Sequence, residues 1–163
     1  MDRRRIGARK AARSPWIDRM FAYGAMLPLI VGALALWFAP DAQSFLALNL
    51  TLFWGASVLL FLSGVRRGAS FGQPGGVTAV QILTMLWLFQ AGVGSLVATI
   101  WAFPMIAALL QMAGYASLAI LDPLGSRRGE APGSFDPLRP VQMLVPILAL
   151  AVVAARIWTS PYL

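Results

Sequence analysis

Two groups of side chains in this chain could do chemistry, and both lie in or beside long apolar runs. The first is an arginine pair, Arg66-Arg67, set between Gly64 and Gly68 at the end of one such run. Paired guanidinium groups at a glycine-flanked turn can hold a phosphate, a lipid headgroup or a partner's carboxylate in bidentate fashion. The second group is a row of amides and hydroxyls. Thr78, Gln81, Thr84, Leu88, Gly92, Ser95 and Thr99 fall on one helical face of the third run, and Ala107, Gln111, Gly114 and Tyr115 on one face of the fourth. Such rows either line a polar cavity or tie one membrane helix to the next, each bond contributing roughly 0.6 kcal/mol. The arginine pair has a plain alternative as well, because basic residues flank cytoplasmic helix ends as a rule of topology.

The chain contains no His and no Cys. The commonest general base, the thiolate nucleophile, the disulfide and the usual zinc and haem ligands are therefore missing. Asp122, Glu130 and Asp136 share one polar segment, too little to support a lipid-modifying enzyme. No Asp, Glu, Lys or His falls deep in an apolar run, which disfavours a proton relay or a carboxylate-coupled ion site. The sequence thus predicts no catalytic residue, no metal and no cofactor.

The elements that must carry these side chains are membrane helices. Of the 163 residues, 59% are hydrophobic, and the mean hydropathy is +0.73. Apolar runs of spanning length recur along the chain, and a span needs about 20 such residues. The expected fold class is all-α: a polytopic membrane protein, a five-transmembrane-helix bundle in one domain. Its spans are expected at about 20–39, 44–65, 77–101, 104–121 and 140–158, preceded by a basic segment at 1–19. From Gly76 to Leu121 there is no charged residue, so two spans share that stretch. Pro104 is the expected boundary, since proline suits the first turn of a new helix; a turn near Gly92 to Ser95 is the alternative. The segment 122–139 reads as an irregular loop.

Thirteen Lys and Arg against six Asp and Glu give a net charge of +7. The basic residues cluster just outside the apolar runs, which is a topology signal and argues against nucleic-acid binding. Seven lie in residues 1–19, two at Arg66-Arg67 and three at Arg127, Arg128 and Arg139, so an N-in, C-out chain keeps twelve of the thirteen inside. Trp37, Trp101, Phe103, Trp158 and Tyr162 then reach the outer interface, where aromatic rings prefer to sit. Arg156 is the exception and is expected to snorkel to the headgroups. The basic segment is expected either to lie on an anionic membrane surface or to be a solvated tail, with a mitochondrial presequence as a third reading.

On a helical wheel of the second span, Asn49, Phe53, Ala56, Ser57, Leu60, Ser63, Gly64, Arg67 and Gly68 share one side. Val58, Phe61, Leu62 and Val65 share the other. Small residues let a neighbouring backbone approach closely, so the first side is the expected packing face and the second the lipid face.

The same stretch, FWGASVLLFLSGVRRG, resembles the signature of the transmembrane-protein-69-like family, a small five-span domain of bacteria and mitochondria. Trp54-Gly55-Ala56 stands where that family has Tyr-Gly-Ala. Phe61-Leu62-Ser63-Gly64-Val65 matches its core, and Arg66 its His-or-Arg position. Arg67 replaces an aromatic residue, and Gln90 lies near the place of a mid-helix proline that this chain lacks. The resemblance covers roughly residues 21 to 153 by order of spans. It implies an integral inner-membrane protein and no particular activity.

The expected function is an accessory or assembly subunit packing against a larger membrane complex, respiratory or photosynthetic. A small transporter or channel, working as an oligomer along the polar rows, is the alternative. Expected partners are anionic phospholipids and another membrane protein or further copies of the chain. The expected location is the bacterial inner membrane, with the mitochondrial inner membrane as the alternative.

Overall fold

The computed structural model describes residues 20, 23–70, 78–127 and 139–160. Among them lie five helices and no strand: α1 Leu27–Phe38, α2 Asp41–Ser70, α3 Ala79–Ile100, α4 Pro104–Arg127 and α5 Arg139–Thr159. Four of them, α2 to α5, are long and apolar enough to cross a membrane, and α1 is a shorter apolar helix. The basic segment 1–19, the Gly-rich loop at 71–77, Arg128, Glu130, Asp136 and Tyr162 lie outside the described residues.

The first apolar run does not form one helix over 20–39. Tyr23 and Gly24 are helical, a turn follows at Ala25-Met26, and α1 starts at Leu27 with Pro28 in its first turn. Proline has no N–H, so a helix cannot run back through residue 28 to Gly24 with its bonds intact. The backbone reconnects locally: Met26 N donates to Tyr23 O at 2.9 Å and Leu29 N to Met26 O at 3.1 Å.

Asp41 lies in the first turn of α2, where a carboxylate complements the helix dipole. Ser44 closes that end, its N–H on Pro40 O and its hydroxyl on Ala39 O. Thirty residues make α2 roughly 45 Å long at the standard helical rise. That exceeds a hydrocarbon core of about 30 Å, so the helix is more than long enough to cross one. It carries Arg66 and Arg67 within its last turns, where sequence placed them on a tight turn.

Thr78 and Gln81 form a capping box at the start of α3, each side chain taking the other's backbone N–H. At the far end, Phe103 N reaches Ala98 O at 2.8 Å and Ala102 N reaches Thr99 O at 3.1 Å. That pairing is a Schellman motif with Ala102 in the left-handed region at φ 59°. Pro104 then opens α4. A left-handed alanine costs about 1–2 kcal/mol, and glycine avoids most of this at about 0.5–1 kcal/mol in unfolded-chain entropy. Ala102→Gly should therefore raise the melting temperature in detergent by an amount matching about 0.5 kcal/mol. A lower melting temperature would mean that the turn is held by something other than this cap.

The helix α4 runs on through Asp122 and Pro123 to Arg127, beyond the point where sequence placed a loop. Each helix touches the next in order, α5 returns to α1, and α2 and α4 meet across the middle. Pro146 interrupts the bonding of α5 but is fully buried, so the ring fills space in the core.

Candidate functional site

The polar rows converge where α2, α3 and α4 meet. Gln111 is 0% exposed, and its Nε2 donates to Leu52 O of α2 and to Ser95 Oγ of α3, both at 2.7 Å. One turn further along α4, the fully buried Tyr115 donates its hydroxyl to Gly55 O at 2.8 Å. Thr99 bonds Ser95 O on its own helix at 2.8 Å. Leu52 O is an acceptor, so only the amide NH2 can face it, and the orientation of Gln111 follows.

Gln111 Oε1 is buried with no hydrogen-bond partner. It occupies the space that a Cβ at residue 55 would take, facing the glycine Cα, and Leu29 of α1 closes the same spot. The oxygen thus faces the backbone of α2 at a glycine, with no hydrogen-bond donor beside it. Gly92 and Gly114 are equally close-packed: a Cβ on Gly92 would meet Leu60 and Ala56 O, and one on Gly114 would meet Leu59. Gly32 abuts Thr51 between α1 and α2 in the same way.

Three further bonds join helices. Ser63 Oγ donates to Met85 O at 3.1 Å, and Trp87 Nε1 to Ser117 Oγ at 3.1 Å. Trp54 Nε1 donates to Ala25 O at 2.8 Å. In a continuous helix that carbonyl would accept from Leu29 N, which Met26 O holds instead. Ala25 lies roughly 20 Å from the α1–α2 turn by helical rise. An open carbonyl in an apolar setting is costly, so the indole satisfies an acceptor that the turn before α1 leaves without its helical donor.

The other singled-out residues lie elsewhere. Gln81 serves the α3 cap, and Thr84 bonds back to Val80 O and Gln81 O. On α2, Ala56 and Ser63 are buried and Asn49 is half-buried, bonded to Phe45 O. Ser57, Gly64 and Gly68 face outward, and a Cβ on Gly64 or Gly68 would meet nothing within 4 Å. Val58, expected on the lipid face, is 8% exposed. The inward side runs through Leu48, Leu52, Gly55, Leu59 and Ser63, turned by about one residue from the expected face. Arg66 is half-buried and Arg67 exposed at the end of α2.

Arg156 does not simply extend to the headgroups. Its Nε donates to Leu36 O at 2.9 Å, and its guanidinium lies 5.6 Å from the centre of the Trp37 ring. Leu36 belongs to the last turn of α1, whose final carbonyls lack helical partners. The side chain therefore caps α1 from α5.

Chemically, the three-helix node is a dry clasp. Its hydroxyls have no imidazole or carboxylate beside them to act as base, and the Gln111 amide and the Thr99 and Tyr115 hydroxyls are engaged by backbone carbonyls or Ser95. Among the described residues no three Asp, Glu, His or Cys gather as metal ligands. No known protein family, curated protein or solved structure matches the chain.

Proposed function

We propose that the chain is an accessory or assembly subunit of the inner membrane, packing against a larger membrane complex such as a respiratory or photosynthetic one. We place it with the transmembrane-protein-69-like proteins, and we assign it no catalysis. The observation that supports this is a division of labour on α2. One side uses Gly55, Ala56 and Ser63 to clasp α3 and α4, while Ser57, Gly64 and Gly68 leave a second small-residue strip bare. Lipid tails gain nothing from such a strip, whereas another membrane helix can approach it closely. Arg66 and Arg67 at the end of the same helix would then face anionic headgroups or a partner's acidic groups.

Affinity purification in mild detergent tests this. Gly64→Leu with Gly68→Leu should not lower the melting temperature of the isolated chain, because neither Cβ meets anything and each change removes a helical glycine. The same double variant should lose the membrane protein, or the second copy, that the parent retains. Unchanged co-purification would sink the proposal.

We also propose five spans with the N-terminus inside and the C-terminus outside, the first span comprising α1 and the turn before it. Twelve of thirteen basic residues then lie inside. Reporter fusions at Gly72 should be cytoplasmic and at Leu163 external. A cytoplasmic signal from Leu163 would mean that α1 does not cross.

The competing reading, a small transporter or channel, draws on the Gln111, Ser95 and Thr99 row with its unpartnered oxygen. We rank it second because Gly55 and Leu29 are packed against that oxygen and no charged residue joins the row.

A further inference from the structure

The end of the bundle that holds the α1–α2 turn, the α3–α4 turn and the end of α5 is ringed by exposed aromatics. Trp37, Phe38, Trp101, Phe103 and Trp158 all lie there. Such a belt marks the level of the lipid headgroups. Arg156 is the one cation among the described residues at this end, and Asp41 in the first turn of α2 is the one acidic side chain there. Asp41 is exposed and makes no ion pair with Arg156.

Two contacts fix the guanidinium. Leu36 O takes the Nε hydrogen, and the Trp37 ring lies beneath the planar group. Neither uses the N–H groups of Nη1 and Nη2, which have no partner among the described residues. A guanidinium held by its Nε and by an aromatic face presents its remaining edge as a ready fork. Its ordering entropy has already been lost to the cap on α1, so a ligand does not have to immobilise it.

We propose that Arg156, set on Leu36 O and Trp37, is a binding site for a phosphate group, namely the phosphodiester of a membrane phospholipid at this end of the bundle. The fork matches two phosphate oxygens. The Trp37 ring beside the guanidinium, 47% exposed, offers the glycerol backbone and upper acyl chains an apolar wall. The site is independent of any protein partner and needs only that this end of the bundle sit at the headgroup level.

The test uses the full chain in a phosphate-free maltoside detergent. Dioctanoyl phosphatidylglycerol should raise the melting temperature saturably, while dioctanoylglycerol, which lacks the phosphate, should not. Inorganic phosphate at the same concentration should have no effect, since it cannot use the aromatic wall. Arg156→Gln should retain one fewer phospholipid than the parent by native mass spectrometry, and its half-saturation should weaken about tenfold, as expected for loss of a charge-assisted bidentate pair. Because Arg156→Gln also loses the cap on α1 and can unfold, Arg156→Lys is the second variant. It keeps the charge without the fork, and its half-saturation should lie between those of the parent and the glutamine variant. Equal lipid retention and half-saturation in the parent and either Arg156 variant would overturn the proposal. So would protection by dioctanoylglycerol. Protection by inorganic phosphate that competes with the lipid would overturn the lipid assignment in favour of a free anion.

Discussion

Gly55→Leu is expected to prevent this chain from folding stably, with a loss on the order of 3 kcal/mol or more. A Cβ alone would collide with Gln111 Oε1 and come within 3.0 Å of its Cδ and 3.1 Å of Leu29 Cδ2. The tip of a glutamine ordinarily moves aside easily. Here it is tied to Leu52 O and Ser95 Oγ, so moving it breaks two bonds and leaves buried donors unsatisfied. Overpacking costs about 1–3 kcal/mol and an orphaned buried group about 1–3 kcal/mol, so the terms together exceed the benefit of removing a helical glycine, about 1 kcal/mol. The same geometry makes a sharper statement with alanine. Gly55→Ala and Gln111→Ala should each lower the melting temperature, and the pair together should lose less than the sum, by about 1 kcal/mol or more. Additive losses would mean that residue 55 and Gln111 do not touch.

The clasp was legible because lipid penalises polar side chains that lack partners. Gln111, Ser95, Thr99 and Tyr115 cannot face hydrocarbon cheaply, so their helical spacing points to the buried side of α3 and α4. Their partners were not legible. Gln111 and Tyr115 bond to the carbonyls of Leu52 and Gly55, and a backbone acceptor carries no signature in the residue type. The Thr78-x-x-Gln81 spacing is a capping-box pattern that the polar row obscured. Pro28 is a break signal that the unbroken apolar composition around it masked, and the indole of Trp54 reaches the carbonyl of Ala25 at that break.

On α2 the sequence misleads for a physical reason. In water the aliphatic side of a helix faces the core; in a bilayer both sides are apolar, and hydrophobicity does not separate them. The wheel therefore had to rely on residue size. Size has two uses on this helix: Gly55 and Ala56 admit neighbours within the chain, whereas Ser57, Gly64 and Gly68 stay bare. One set of small residues pulled the expected face toward the other. Val58, expected on the lipid face, and Leu48, Leu52 and Leu59, which the wheel assigned to neither side, fill the interior.

That distinction gives the second large effect, and it changes sign between two glycines. Gly92→Leu should drive α2 and α3 apart and cost about 3 kcal/mol or more. A Cβ there would lie 2.8 Å from Leu60 Cγ and 3.2 Å from Ala56 O. The first is a branch point close to the helix and the second is backbone, so neither yields without moving α2. Even Gly92→Ala should be a net loss, because overpacking of about 1–3 kcal/mol outweighs a helix-propensity gain of about 1 kcal/mol. Gly64→Ala meets nothing within 4 Å and keeps the propensity gain, so it should raise the stability of the isolated chain by about 0.5–1 kcal/mol. The two alanine variants can be unfolded side by side in the same detergent, with melting temperature as the readout. Opposite shifts place α3 against the Ala56–Leu60 turn of α2 and leave the Gly64 side open. If Gly92→Ala were as stable as Gly64→Ala, α3 would not approach α2 at that turn, and the inward side of α2 would have to be redrawn.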